Sequence, residues 1–157
     1  MSELQYWIWF ASLKIMPIKK NNLLNFLGSP QKIYKANEKK LLEVVDINLE
    51  DILEITNNKN EKLIKKYEEY INKNEISVIS INDKLYPNAL KEIYDPPCVI
   101  FAKGNLKLLN SKGVAIVGSR MADEYGMKAS YNFAYDLAKK NIIIVSRTGE
   151  RNWFYGT

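Results

Sequence analysis

The chain has 157 residues, a formal net charge of +5, 46% hydrophobic and 26% charged residues, one cysteine and no histidine. Without histidine, Ser-His-Asp and Cys-His nucleophile systems and His-ligated metal centres are excluded, and a lone thiol makes neither an intrachain disulfide nor a structural zinc site. No apolar run approaches the roughly 18 residues needed to span a membrane, and Met1-Ser2-Glu3 lacks the basic start of a secretory signal.

Residues 1 to about 72 read as helical. Leu4, Ile8, Ala11 and Ile15 have helical spacing, and Pro17 is expected to stop that run. Asn22 to Leu27 forms a second short helix closed by Gly28. Ser29-Pro30-Gln31-Lys32-Ile33-Tyr34 then reads as an N-cap with proline at the first helical position. Glu38 to Val45 and Leu49 to Ile55 are further short helices. Glu61 to Asn72 is longer, with Leu63, Tyr67, Tyr70 and Ile71 assigned to one face. A small helical bundle is the expected result, with Trp7, Trp9 and Phe10 in its core rather than serving as base-stacking platforms.

The period then changes. Ile76 to Ile81 is β-branched and bounded by asparagine and aspartate, which predicts a strand. Tyr86 to Ile93 predicts a short helix, stopped by Asp95-Pro96-Pro97. Tyr86-Pro87 and the Asp-Pro-Pro run read as rigid punctuation. Cys98 to Ala102 is a second strand, on which Cys98 is an inert core thiol. Val114 to Val117 is a third, a continuous apolar run of the buried parallel kind. Asp123 to Lys140 is an amphipathic helix with Tyr131, Ala134, Leu137 and Ala138 on its inner side. Ile142 to Val145 is a fourth strand, so 114 to 145 forms one βαβ unit. The fold class is α/β, a helical domain over 1–72 followed by an incomplete Rossmann-like parallel sheet over 73–146.

Of the 23 basic residues, 20 are lysine and three are arginine: Arg120, Arg147 and Arg151. Lysine, asparagine and isoleucine are heavy throughout, so the lysines read as solvated faces and carry little information about a polyanionic partner. The segment Val114-Ala115-Ile116-Val117-Gly118-Ser119-Arg120, followed by Tyr125-Gly126 and a helix, says more. A buried strand running into a glycine-serine turn and a helix start places backbone N–H groups at one edge of the sheet, an arrangement that suits an anion. Gly118 lets a phosphate approach the backbone, Ser119 adds a hydroxyl, and Arg120 supplies a planar fork for bidentate contact. The simpler alternative, a tight βα turn with Arg120 as a surface residue, stays open. Neither a G-x-G-x-x-G fingerprint nor a Walker A loop is present, and no ribose-binding acid follows Val145. Asp123 and Glu124 are adjacent carboxylates whose place in the first helical turn complements the helix dipole.

Together these segments resemble the DNA-processing protein A (DprA/Smf) family. The matching residues are Tyr86 to Pro97, Phe101-Ala102-Lys103-Gly104, Val114 to Arg120, Tyr125-Gly126 and Ile144-Val145-Ser146. The string Y-P-x-x-L-x-x-I-x-D-P-P with a later V-G-S-R is far more specific than a lone glycine motif. The resemblance implies a non-enzymatic, cytoplasmic single-stranded-DNA binder of natural transformation and recombination. It would dimerise through an extended Rossmann domain, need no cofactor and help load the RecA recombinase. It also implies that 1–72 is the family's SAM-like helical domain and that Arg120 contacts the DNA backbone. Pro17-Ile18-Lys19-Lys20 stands where many relatives carry a glycine-rich hairpin. The competing reading from a different class is a Rossmann-like nucleotide or nucleoside-phosphate hydrolase using the same anion site. A missing acid/base pair near the strand ends counts against it.

After Ser146 the resemblance breaks off. The family continues Gly-Leu-Ala-x-Gly-Ile-Asp, whereas here Arg147-Thr148-Gly149-Glu150-Arg151-Asn152 follows. Removing one base from codons permitted for Arg147 to Asn152 yields Gly-Leu-Ala-Arg-Gly-Ile. The expectation is a frameshifted, truncated product with an aberrant, unstructured tail over 147–157 and impaired DNA binding, which the encoding nucleotide sequence tests.

Overall fold

The structure, a computed structural model, describes residues 1–119 and 121–146. These fall into two compact units that divide between Asn110 and Ser111. The tail expected to be unstructured lies outside the described residues.

The first unit opens with six helices: α1 (Glu3–Ser12), α2 (Pro17–Leu27), α3 (Pro30–Lys35), α4 (Glu38–Leu42), α5 (Leu49–Asn57) and α6 (Glu61–Lys73). Most of their starts are written in single residues. Ser2 and Gln5 form a reciprocal capping box on α1, and Ser29, Asn37, Asn48 and Asn60 each accept a backbone N–H three residues on. Pro17 does more than end the first run: it is the first residue of α2, which therefore begins five residues before the expected Asn22. Proline suits that position because its fixed φ is helical and the N–H it lacks would be unpaired there. Gly28 closes α2 at φ +86°, its N–H donating to the Leu24 carbonyl at 2.7 Å.

Trp9, Phe10, Leu23, Ile33, Leu41 and Ile55 form the centre of the core, and the Trp9 ring meets Tyr34 edge-to-face at 4.9 Å. Trp7 packs at its margin. The inner face of α6 is corrected. Ile64 and Ile71 are buried, while Leu63, Tyr67 and Tyr70 are exposed. A stripe through Ile64 and Ile71 closes two helical turns in seven residues, which the expected set did not follow.

The same unit contains β1 (Ser77–Ser80), the short α7 (Asn88–Lys91), β2 (Val99–Ala102) and a 3-10 turn at Leu106–Asn110. β1 and β2 pair antiparallel, with Ile79 opposite Ile100. The expectation that all four strands join one parallel sheet is corrected on this point. A parallel return needs a crossover, usually helical, and α7 has four residues. The intervening chain is instead pinned to the pair it connects. Tyr86 is fully buried and its hydroxyl donates to the Pro97 carbonyl at 2.6 Å. Asn21 of α2 donates to the Pro96 carbonyl at 2.9 Å. β1 also packs on α1. Residues 73–110 thus belong by contact with the helices, although the sequence period changes at 72/73.

The second unit is one βαβ: β3 (Gly113–Ile116), α8 (Glu124–Ala138) and β4 (Ile143–Ser146), with β3 and β4 parallel and Val114 opposite Ile144. The parallel pairing follows the expectation; the burial does not. Val114 is 41% exposed and no described residue of this unit is buried. Two strands and one helix cover only one side of the sheet, so the apolar run has a single packed face. Tyr131, expected on the inner side of α8, is 55% exposed. Gly126, Ala129, Ser130, Ala134 and Leu137 are the more covered positions of that helix.

Candidate nucleic-acid interface

The strand–turn–helix segment expected to hold an anion is exposed. β3 ends at Ile116, Val117 is 82% exposed, and Gly118 and Ser119 follow at the surface. Met121 N–H donates to Ser119 Oγ at 3.1 Å. Arg120 itself lies outside the described residues.

Gly118 is informative for what does not constrain it. Its φ is not in the left-handed region, and a Cβ built there would meet nothing within 4 Å. Neither backbone conformation nor described protein atoms require a glycine. The open space suits the close approach of another molecule to the backbone. Gly113, the third residue of the same unit, is the opposite case. A Cβ there would sit 2.7 Å from the Ile143 carbonyl oxygen, so close pairing of β3 with β4 excludes a side chain.

The helix terminus is already charged from within. Asp123 is the N-cap of α8, its carboxylate accepting the Gly126 N–H at 2.7 Å, and Glu124 occupies the first turn. These carboxylates complement the positive end of the dipole, as their position implied. They also leave Val117–Ser119, and not the start of α8, as the described part of the segment open to an anion.

Two basic residues of the helical unit, Lys19 and Lys20, are committed within it. Lys19 Nζ pairs with Asp51 Oδ2 at 2.6 Å. Lys20 is buried, its ammonium donating to the Ala11 carbonyl at 3.0 Å and lying 5.7 Å from the centre of the Phe10 ring. Burial pulls its pKa below the ordinary lysine value, against smaller upward pulls from Cys98 and Glu54. The cations at the start of α2 therefore brace α1 and α5 and face no phosphate. Cys98 is buried with its sulfur 3.1 Å from Asn21 Oδ1, and burial pushes the thiol up to about 12. It is no nucleophile. No group of three or more His, Cys, Asp or Glu suited to a metal occurs among the described residues, and no helix among them is long and apolar enough to cross a membrane.

One surface feature was not anticipated. Tyr131 and Tyr135 stack on the outside of α8, with centroids 6.2 Å apart and ring planes 14° from parallel, and Lys139 Nζ lies 4.4 Å from the centre of the Tyr135 ring. The signal was present as tyrosines at i and i+4 with lysine at i+8, but assigning Tyr131 to the packed face concealed it.

The profile of the family described as DNA recombination-mediator protein A matches residues 77–149. That stretch contains both the Tyr86–Pro97 string and the whole strand–turn–helix segment. Over this stretch the chain is similar to the DprA/Smf family. It is 45% identical over 73 residues to the DNA processing protein DprA of Bacillus subtilis, covering 45% of this chain and 24% of that protein. It is 38% identical over 85 residues to the protein Smf of Borreliella burgdorferi, covering 54% and 27%. Similarity to the protein Smf of Synechocystis reaches into the helical unit, at 29% identity over 153 residues, 92% of this chain and 38% of that protein. The chain thus spans about a quarter of the length of the first two DprA/Smf relatives. It matches no solved structure.

Proposed function

We propose that this chain serves DNA processing in transformation and recombination by binding the phosphate backbone of single-stranded DNA at the Gly118–Ser119–Arg120 turn. The reading places it in the cytoplasm, without catalysis or a cofactor, as a contributor to loading of the RecA recombinase. The observation that carries it is the exposed Val117–Gly118–Ser119 stretch with open space over Gly118, lying inside the stretch matched to the DNA recombination-mediator family. The names DNA processing protein DprA and DNA recombination-mediator protein A support the class of substrate.

Arg120 supplies the bidentate fork, the turn N–H groups and the Ser119 hydroxyl give shorter-range contacts, and Gly118 lets the backbones approach. With one arginine as the principal cation, affinity is modest and falls with salt, because each phosphate neutralised releases a counterion. Fluorescence anisotropy of labelled oligo-dT at low ionic strength tests this. Binding that weakens with salt and is lost in Arg120→Ala is the expected result. Binding indifferent to Arg120, or none at low salt, overturns the reading. Hydrolysis of a nucleotide by the same preparation would favour the hydrolase alternative.

A further inference from the structure

We propose that the outer face of α8 is a second contact for single-stranded nucleic acid, a base-stacking platform made of Tyr131 and Tyr135 and bracketed by Lys128 and Lys139. This rests on the single-stranded-DNA reading of the Gly118–Ser119–Arg120 turn and adds a site that binds bases where the turn binds phosphate.

Aromatic side chains of a small α/β unit ordinarily face its sheet. At 3.6 residues per turn, Tyr135, Lys128 and Lys139 lie on the side of α8 opposite Gly126, Ser130 and Leu137, with Tyr131 beside them. The two tyrosines are 55% and 50% exposed. Exposure alone does not single them out, since Tyr125 and Phe133 of α8 are more exposed still; the pairing of the two rings and the ammonium group against one of them do. Their geometry points to a partner. The rings are held nearly parallel, 14° apart, at 6.2 Å. Flat π faces presented in series along one helix are what successive unpaired bases stack upon, independent of base identity.

The charges agree with that occupant. Lys139 lies against Tyr135 on the C-terminal side, and Lys128 stands three residues before Tyr131. Lys140 follows at the same end, while Asp136 sits a quarter-turn off the stripe and Glu124 one turn before Lys128. From 128 to 140 the helix carries three lysines and one aspartate. Cations flanking stacked aromatics suit a ligand with a π face and a phosphate on every unit, in which stacking supplies sequence-tolerant affinity and lysines follow the backbone. An apolar protein surface would leave those ammonium groups without a counterpart.

The test uses the full chain and two oligonucleotides of equal length and charge, oligo-dT and the same backbone with abasic sugars. Wild type is expected to bind oligo-dT more tightly than the abasic strand. The double variant Tyr131→Ala/Tyr135→Ala is expected to lose about tenfold in oligo-dT affinity with little change toward the abasic strand. Tyr131→Phe/Tyr135→Phe, which keeps both rings, is expected to retain the wild-type preference and controls for folding. Lys139→Gln is expected to weaken both strands and lower the salt slope by about 0.7. Equal oligo-dT affinity in wild type and the double alanine variant overturns the platform while leaving the turn reading intact, provided Arg120→Ala still abolishes binding. A change in oligomeric mass in the double alanine variant with oligo-dT affinity preserved assigns the tyrosines to a protein contact and also overturns it. Absence of oligo-dT binding by wild type overturns the turn reading and the platform together.

Discussion

Tyr86 shows how one side chain fixes a connection whose regular structure is a single four-residue helix. Its ring is fully buried and its hydroxyl reaches the Pro97 carbonyl at 2.6 Å, bridging an intervening segment that includes Pro87 and Pro96. Removing the hydroxyl in Tyr86→Phe leaves that carbonyl unpaired, for an expected loss of about 1 kcal/mol in urea unfolding. Burial, with a smaller contribution from Cys98, raises the phenol pKa above the ordinary tyrosine value. A group raised on folding contributes stability that is complete below its unfolded pKa and lost as pH climbs through the folded one. Tyr34 is raised in the same sense. Lys20, lowered by burial, acts oppositely and adds stability as pH rises toward about 10.5. Between about pH 9 and 11, wild type is therefore expected to lose stability more steeply than Tyr86→Phe. Urea titrations at several pH values check the difference, and parallel curves contradict the assignment. Cys98 gives a companion expectation. With its thiol held near 12, it should resist a disulfide reagent at pH near 8 in the folded protein and react fully once denatured, as thiolate absorbance would report.

At the scale of elements, two glycines in the same βαβ unit are expected to respond in opposite ways. Gly113→Ala places a methyl 2.7 Å from a backbone oxygen of β4, and backbone cannot swing aside as a flexible side chain can. The expected cost is about 1–3 kcal/mol, seen as faster amide exchange in Ile143–Ser146. Gly118→Ala meets nothing, so exchange should be unchanged while oligo-dT affinity falls. Equal effects of the two substitutions on exchange would refute this division between a structural and a functional glycine. Most of the elements themselves were legible in the residues. The caps Ser2, Ser29, Asn37, Asn48 and Asn60 are local signals, acting within three residues. So is the change of period that separates α6 from β1. What escaped was set by partners distant in sequence. Nothing near Ile76–Ile81 states that β1 lies on α1, and nothing near Tyr131 states that its ring will stack on Tyr135 and not on the sheet. Pro17 was ambiguous because proline both stops a preceding helix and opens a following one. The strand before Gly118 and the Asp123 cap of α8 were readable because both are local signals.

The whole molecule is uneven in burial, and stability should follow. Every described side chain that reaches full burial lies between Met1 and Asn110, and in the unit beginning at Ser111 none of the described residues is buried. Removal of apolar area from water is the main favourable term in folding. A unit that encloses no side chain has little to set against the conformational entropy of some thirty ordered residues, at about 1–2 kcal/mol each for the backbone alone. Native-state hydrogen exchange should therefore show two classes. Amides of α1 and α5, which flank Trp9, Ile52 and Ile55, should exchange only through global unfolding. Amides of β3, α8 and β4 should exchange through local opening with far smaller protection. Binding couples to this difference. A ligand that contacts the Gly118–Ser119 turn stabilises the folded unit by mass action, so saturating oligo-dT should raise protection in β3, α8 and β4 and leave α1 and α5 unchanged. The same experiment in Arg120→Ala should show no gain. Uniform protection across the chain without DNA would mean that the second unit draws stability from contacts other than its own, and the argument from burial would fail.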